Sequence, residues 1–206
     1  MDEQAEGLVL SGRFTEAVEY ARGFHTEFRK GTKIPYMAHL LGVTAMVLGE
    51  AGGTVPVTED MAIAAMLHDA VEDHGGQKRL DEVKERFGGE VARMVESLSD
   101  TLAEDHDKKE GWEERKIAYI KRLHGESEDV LLISAADKLY NAKAMLADFE
   151  QVGPEVWKRF KRGPEKQLWY LYQLLSIFEL RLKSAMVAEL AEVVSELGKA
   201  ATGKRQ

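Results

Sequence analysis

One short stretch of the chain combines an imidazole with three carboxylates at helical spacing. Residues 66–74 contain His68, Asp69, Glu72 and Asp73, directly after a run of apolar side chains. Because residues three and four apart share one face of a helix, these side chains would lie within about one and a half turns. Carboxylates so close raise one another's pKa, and a divalent cation relieves their repulsion. The pattern indicates a metal site; the alternative is a solvated helix end with a chance His-Asp pair.

Two further residues extend this candidate metal site. His39 lies in an apolar helical stretch, and Asp137 follows the small and apolar residues 130–136. A lone buried histidine is most often a satisfied core residue, but an unpaired buried carboxylate is very costly. Together with His68 and Asp69 they form a mixed nitrogen and oxygen donor set. Such a set suits one divalent ion among Mn²⁺, Fe²⁺, Mg²⁺ and Zn²⁺.

A basic and aromatic segment is a candidate for substrate binding. Residues 157–166 carry five cations within ten positions of an acidic protein. Cations bind phosphate groups, and aromatic rings stack on a nucleotide base. The rings among or just after these cations are Trp157, Phe160, Trp169 and Tyr170. The alternative is a solvated basic face with its aromatic side chains in the core.

Helical periodicity dominates the rest of the chain, and no internal repeat is found. Thr58 is a candidate N-cap, residues 100–111 are predicted to form a mobile polar loop, and residues 198–206 a frayed tail. We predict one all-α domain of about eight to ten helices, with its core over about 13–183 and a C-terminal helix and tail over 184–206. The predicted helices are 13–29, 37–51, 59–72, 80–87, 91–98, 112–123, 129–149, 154–160, 164–183 and 185–197.

Composition excludes several classes of protein. The 206 residues carry a net charge of −8 and contain no cysteine, which excludes disulfide scaffolds, cysteine-ligated metal sites and thiol nucleophiles. An acidic chain is a poor general binder of nucleic acid. No apolar run is long enough for a membrane span, and the polar, acidic N-terminus does not resemble a signal peptide. We therefore expect a cytoplasmic protein with a small-molecule substrate; its oligomeric state is open.

The order of these motifs resembles a known family. A histidine, then His-Asp, then an aspartate is the pattern of the HD superfamily of metal-dependent phosphohydrolases. Residues 68–73 resemble the HDxxED motif of RelA/SpoT-type (p)ppGpp hydrolases, including their small single-domain animal homologues. Residues 29–39 resemble their RK…PYxxH segment, and residues 136–141 their ADKLxN segment. The similarity extends over roughly residues 17–180.

The resemblance implies an HD-domain helical bundle and a role for each matching residue. The metal ion would be held by His39, His68, Asp69 and Asp137, and Mn²⁺ would be the preferred ion. Glu72 would act as the general base or orient the attacking water, with Asp73 beside it. The substrate, guanosine 3′,5′-bis(diphosphate), would lose pyrophosphate from its 3′ position. Its binding residues would be Arg29, Lys30, Asn141, Lys166 and Tyr170.

Two other functions are compatible with the same motifs. One is an HD phosphohydrolase of a different nucleotide, such as a nucleoside mono- or triphosphate, and the pairs Glu72-Asp73 and Arg29-Lys30 disfavour it. The other is a non-catalytic module that binds metal and nucleotide, and an intact Glu72 counts against it. The chain has no room for a synthetase half, so we expect hydrolysis without synthesis. No role is assigned to His25, His106 and His124. His74 is predicted at the surface, with a supporting position beside the metal site as the alternative.

Overall fold

A computed structural model describes residues 7–103, 111–159 and 162–203, which are almost entirely helical. The isolated bridge between Phe28 and Pro35 is the only β pairing among them, so the predicted all-α class is confirmed. A 3₁₀ helix over Gly153–Arg159 precedes the last two α-helices. The α-helices are α1 Gly12–Arg22, α2 Met37–Gly49, α3 Glu59–Leu67, α4 Ala70–Asp73, α5 Gly76–Phe87, α6 Gly89–Leu98, α7 Trp112–Leu123, α8 Glu128–Val152, α9 Gly163–Arg181 and α10 Ala185–Ala201.

Two buried helical segments form the centre of the molecule. Every residue of 61–67 in α3 and of 130–136 in α8 is buried. Helix α3 packs against α1, α2 and α6, and α8 packs against α2 and α10. Helices without a polar face are stable only when other helices surround them. As a result, His68 and Asp137, which directly follow these segments, are also buried. In the described part of the chain, no helix has both the length and the apolar character needed to cross a bilayer.

Side chains cap the starts of three helices. The hydroxyl oxygens of Ser11, Thr58 and Ser184 accept hydrogen bonds from the first-turn N–H groups of α1, α3 and α10. Such caps contribute about 1 kcal/mol each, because these N–H groups have no partner within the helix. The cap at Thr58 was predicted from the sequence and is confirmed. The cap sets the first residue of α3, and therefore the direction of the side chain of His68, which directly follows this helix.

The helix predicted over 59–72 is interrupted, which corrects the sequence-based expectation. Helix α3 ends at Leu67 and α4 begins at Ala70, with His68 and Asp69 between them. Consecutive side chains of a continuous α-helix point about 100° apart. Here Nε2 of His68 lies 3.0 Å from Oδ2 of Asp69. Both residues keep right-handed helical backbone angles, so the interruption is slight, and the two adjacent side chains meet at one point.

The helix predicted over 13–29 is also too long. Helix α1 ends at Arg22, and the chain then forms an irregular turn that leads to α2. Within this turn Gly31 has a φ of +74°, and a Cβ added there would lie 2.9 Å from the side chain of Arg159. Only glycine combines this backbone conformation with such a close approach. The turn places Arg29 beside α8, where a continued α1 would not reach.

The C-terminal helix is longer than predicted. It was expected over 185–197 with a frayed tail, but α10 continues to Ala201. Gly198 does not end the helix because its missing side chain makes room for the hydroxyl of Tyr172, which would lie 2.6 Å from an added Cβ. Packing against α9 therefore outweighs the low helix propensity of glycine. Residues 204–206 lie outside the described part.

Candidate active site

Four side chains from three parts of the fold converge on one point. Helix α2 supplies His39, the break between α3 and α4 supplies His68 and Asp69, and α8 supplies Asp137. The Nε2 atoms of the two histidines are 3.2 Å apart. Nε2 of His39 lies 3.3 Å from Oδ2 of Asp69 and 3.4 Å from Oδ1 of Asp137. Nε2 of His68 lies 3.7 Å from that same Oδ1. The structure brings together the four residues predicted as metal ligands.

Neighbouring groups hold these four side chains in position. Nδ1 of His68 lies 2.8 Å from the carbonyl oxygen of Ala65, to which its N–H donates, so Nε2 faces the cluster. The hydroxyl of Tyr36 donates to Oδ2 of Asp69 at 2.6 Å. Such outer contacts orient metal ligands and strengthen them as donors. Tyr36 is therefore a functional residue that the motif PYxxH contained but to which no role was given.

Asp137 is held from two sides. The amide of Asn141 donates to its Oδ1 at 2.6 Å, and the ammonium group of Lys138 contacts its Oδ2. Burial alone would raise the pKa of Asp137, but Lys138 and the two imidazoles hold that pKa well below its ordinary value. The carboxylate therefore remains ionised inside the protein, in the form that binds a cation.

The donor set fits a divalent metal ion. Burial disfavours the charged forms of His68 and Asp69, but their mutual attraction outweighs it, so the pKa of His68 is raised and that of Asp69 lowered. The pKa of His39 is lowered by burial. The ligand atoms of these three residues all lie within 4.8 Å of one another. Two carboxylates and two imidazole nitrogens so close together form the kind of mixed set that binds borderline or hard divalent ions.

Beside this cluster, Glu72 lies in a polar group that the sequence analysis did not find. Its carboxylate is 3.5 Å from Nη1 of Arg115 and 3.5 Å from the backbone nitrogen of Asp100. Asp100 pairs with Arg115 and, at 2.7 Å, with Lys116, and its side chain is only 3% exposed. Burial and the negative charge of Asp100 raise the pKa of Glu72. A raised pKa suits a carboxylate that must accept a proton near neutral pH.

The sequence analysis assigned Asp100 to a mobile loop over 100–111. This prediction is wrong for Asp100, whose side chain is buried. Burial would raise its pKa, but Lys116 and Arg115 outweigh this and hold the pKa below its ordinary value. The cations in the first half of α7 could have indicated the position of Asp100, because a carboxylate in the loop before α7 can pair with them. Residues 104–110 of the loop lie outside the described residues.

A basic cavity of about 320 Å³ opens next to the cluster. Its volume is in the range of small-molecule sites. Among the described residues, its lining includes the aromatic rings of Trp112 and Tyr170 and one carboxylate, that of Asp148. The cations that line it are Arg29, Lys30, Lys116, Lys138 and Arg159. In a protein with a net charge of −8, this concentration of positive charge suits an anionic ligand.

The cavity and the cluster share Asn141. Its Oδ1 accepts a hydrogen bond from Nη2 of Arg29 at 2.8 Å, while its amide nitrogen donates to Asp137. The guanidinium of Arg29 also lies 5.0 Å from the ring centroid of Tyr140. Its Nη1 is buried and has no hydrogen-bond partner in the described structure. A buried donor without a partner is costly, and an anion in the cavity would supply one.

The predicted substrate-binding residues do not all lie together. Arg29, Lys30, Asn141 and Tyr170 line the cavity. Lys166 is absent from its lining and pairs with Glu113 at 2.7 Å.

The basic segment over 157–166 divides in the same way. Arg159 lines the cavity and pairs with Asp148, whereas Lys158 is exposed and Trp157 is buried in the core. The helix predicted over 154–160 is a 3₁₀ helix. Residues 160–161 are outside the described ranges.

Two other histidines, His25 and His74, lie close together in the structure. His74, predicted at the surface, has a side chain that is 27% exposed. Its Nε2 lies 3.2 Å from Nδ1 of His25, whose side chain is fully buried. No role had been assigned to His25. The sequence did contain an indication of this pair. His25 precedes the RK…PYxxH segment and His74 follows the HDxxED segment, and both segments were predicted to contribute to the same site.

Comparison with known proteins identifies the family. A family model described as HD domain matches residues 17–163. The chain is 34% identical over 156 residues to the guanosine-3′,5′-bis(diphosphate) 3′-pyrophosphohydrolase MESH1 of Homo sapiens, which covers 73% of this chain and 77% of that protein. It is 33% identical over 129 residues to a guanosine-3′,5′-bis(diphosphate) 3′-pyrophosphohydrolase of Aquifex aeolicus, covering 63% of this chain but only 17% of that longer protein.

The fold agrees with this assignment. A solved structure of a metazoan ortholog of SpoT that hydrolyses ppGpp superposes with a TM-score of 0.70 and 27% identity, covering 92% of this chain and 98% of that one. The structure of lmo0812 from Listeria monocytogenes superposes with a TM-score of 0.63 and 30% identity, covering 78% of this chain and 99% of that one. The chain therefore belongs to the HD-domain family and is a homologue of its RelA/SpoT-type guanosine bis(diphosphate) hydrolases.

Proposed function

We propose that this protein is a metal-dependent phosphohydrolase that converts guanosine 3′,5′-bis(diphosphate) and water to GDP and pyrophosphate. The names of its relatives support the substrate. The observation that carries the proposal is the position of Asn141, which contacts Asp137 of the metal cluster and Arg29 of the basic cavity. An anionic nucleotide in the cavity would have a phosphate next to the cluster.

His39, His68, Asp69 and Asp137 are the proposed ligands of one divalent ion, with Mn²⁺ as the preferred metal. When bound, such an ion makes water more acidic and neutralises charge that develops on phosphoryl oxygens. The side chains contribute by their fixed orientation. Tyr36 and Asn141 hold the carboxylates of Asp69 and Asp137, so little reorganisation is needed when the metal enters.

Glu72 is the proposed general base or water-orienting group. It lies three residues after Asp69, and the negative charge of Asp69 contributes to the raised pKa of Glu72. Arg115 contacts its Oε1 and can hold the carboxylate in position while it accepts a proton. Asp73 ends the same short helix, and we assign it an assisting role in orienting the water.

The cavity supplies the contacts that a guanosine bis(diphosphate) needs. Its two diphosphate groups carry several negative charges, and the cavity cations can pair with them as charge-assisted donors. The ring of Tyr170 lies near Trp112, with centroids 6.2 Å apart, and these rings offer surfaces for the base. Lys166 can join them only if it leaves Glu113, so we assign it a contact with the bound nucleotide after that ion pair opens.

A substrate panel tests this proposal. The Mn²⁺-loaded protein is incubated with guanosine 3′,5′-bis(diphosphate), GTP and GMP, and the products are separated by ion-exchange chromatography. We expect GDP from the bis(diphosphate) and little turnover of the others, which lack a 3′ diphosphate. Arg29→Ala should raise KM at least about tenfold, because it removes a charge-assisted contact. The matched control is Arg86→Ala, at an arginine that pairs with Glu16 far from the cavity lining.

Other outcomes contradict the proposal in distinct ways. Preferred hydrolysis of GTP or GMP would identify an HD phosphohydrolase of another nucleotide. Tight binding of the bis(diphosphate) without any hydrolysis would identify a non-catalytic binding module. An equal effect of Arg29→Ala and Arg86→Ala on KM would show that the basic cavity does not hold the substrate.

A further inference from the structure

A second group of metal-type ligands lies outside the cluster described above. It consists of His25 and Glu27, from the turn after α1, and His74, at the C-terminal end of α4. Nδ1 of His25 lies 2.8 Å from Oε1 of Glu27 and 3.2 Å from Nε2 of His74. Nε2 of His74 lies 3.5 Å from the same carboxylate oxygen. We propose that these three residues form a second divalent-cation site, suited to Zn²⁺.

The distances match the face of a coordination tetrahedron. Zinc binds imidazole nitrogens and carboxylate oxygens at about 2.0–2.1 Å, so two ligand atoms of one tetrahedron are separated by about 3.3 Å. The three separations in this group, 2.8, 3.2 and 3.5 Å, bracket that value. The shortest separation, 2.8 Å, would have to widen by about 0.5 Å for an ion above this triangle to reach all three atoms with tetrahedral angles. Two histidines and one glutamate also leave the fourth position for water, as in other zinc sites with three protein ligands.

The pKa shifts of the group are compatible with metal binding. Burial lowers the pKa of His25, which favours its neutral ring, and Nδ1 would ligate in the tautomer that carries the proton on Nε2. Burial would raise the pKa of Glu27, but the contact with His25 outweighs it, so the carboxylate is ionised. Neutral imidazole and ionised carboxylate are the forms that ligate metals. The neighbouring cation Arg79 is paired with Glu82 at 2.7 Å, which reduces its repulsion of an ion.

The proposed site is connected to the first cluster through one aromatic ring. The ring of His25 stacks on that of Tyr36, with centroids 5.1 Å apart and planes at 16°. The hydroxyl of Tyr36 donates to Asp69. A cation at the second site would also tie the turn after α1 to the end of α4, the helix that carries Glu72. Its role would be to position these residues, since none of its ligands touches the first cluster's donor atoms directly.

Metal stoichiometry tests the proposal. The full-length protein is stripped with a chelator and dialysed against Zn²⁺, and bound zinc is measured by mass spectrometry. We expect two equivalents in the wild type, one in His74→Gln and one in His39→Gln. Glu27→Gln is a second variant of the new site, in case His74→Gln does not fold. His124→Gln is the matched control, because His124 is exposed and should leave two equivalents bound.

The coordination itself has a separate readout. With Co²⁺ in place of Zn²⁺, the tetrahedral site should give strong visible absorption that is lost in His74→Gln and Glu27→Gln but retained in His39→Gln. The proposal is wrong if the wild type binds one equivalent that His39→Gln removes, or if His74→Gln and Glu27→Gln still bind two. These outcomes do not depend on nucleotide hydrolysis, so they are independent of the proposed function.

Discussion

Asp100 offers the sharpest test of the structure, because the sequence analysis placed it in a mobile loop outside the site. It links α7 to Glu72 through Arg115 and Lys116, and its side chain is nearly completely buried. Asp100→Asn keeps the size of the side chain and removes only its charge. Lys116, which is 17% exposed, then loses its carboxylate partner in a poorly solvated place, and Arg115, which is 14% exposed, keeps the longer 3.5 Å contact with Glu72.

The size of the effect follows from these contacts. Removing one partner of a buried ion pair costs about 3–5 kcal/mol, since the other charge stays buried without compensation. The remaining amide can still accept a hydrogen bond, so we expect about 3 kcal/mol for Asp100→Asn. For a chain of this length, 1 kcal/mol corresponds to roughly 2–4 °C in Tm, which gives a decrease of about 6–12 °C.

Thermal denaturation followed by circular dichroism at 222 nm measures this decrease. The pKa of Asp100 is lower in the folded state than its ordinary value, so its contribution to stability is present above pH about 4 and is lost as the pH falls through the folded pKa. The difference between wild type and variant should be full at pH 7 and shrink in acid. Glu189→Gln is the control, because Glu189 pairs with Lys143 at the surface. Equal Tm values for Asp100→Asn and Glu189→Gln would refute the buried ion-pair reasoning.

Four further predictions concern the site. Glu72→Gln should retain the metal, measured by mass spectrometry, but slow turnover on the order of 10²-fold; a fully active variant would contradict its role. In the wild type, kcat/KM should fall in acid at a higher pH than an ordinary glutamate would give, because Glu72 must be ionised and its pKa is raised; Asp100→Asn should move this limb to lower pH. Asp137→Ala should abolish Mn²⁺ binding in equilibrium dialysis, and Tyr36→Phe should weaken it by about 10–100-fold through loss of the hydrogen bond to Asp69.

The fold class and the convergence of the four proposed ligands could be predicted because local signals indicate them. Buried helices appear in sequence as uninterrupted apolar runs, and the residues that end these runs, His68 and Asp137, had to be explained as buried polar groups. The family motifs then linked them to His39. These signals depend on residue type and spacing along one segment, so they can be recognised without knowing which helices pack together.

The corrected elements depend on contacts between distant segments. The extension of α10 past Gly198 comes with close packing of Tyr172, from α9, against this glycine. Asp100 likewise has its partners in another element, α7. Helical periodicity carries no information on such contacts, since it reports only which face of a segment is apolar. A polar residue in a polar stretch is therefore assigned to solvent until its partners are known.

The most direct test of the central claim is the position of bond cleavage. The Mn²⁺-loaded protein is incubated with guanosine 3′,5′-bis(diphosphate) in H₂¹⁸O, and the products are followed by ³¹P nuclear magnetic resonance and mass spectrometry, with His68→Ala as the inactive control. We predict GDP with an unlabelled 3′ hydroxyl and pyrophosphate that carries one ¹⁸O, because water attacks the phosphorus attached to the 3′ oxygen. Release of orthophosphate, ¹⁸O in the ribose, or equal turnover by His68→Ala would contradict the account.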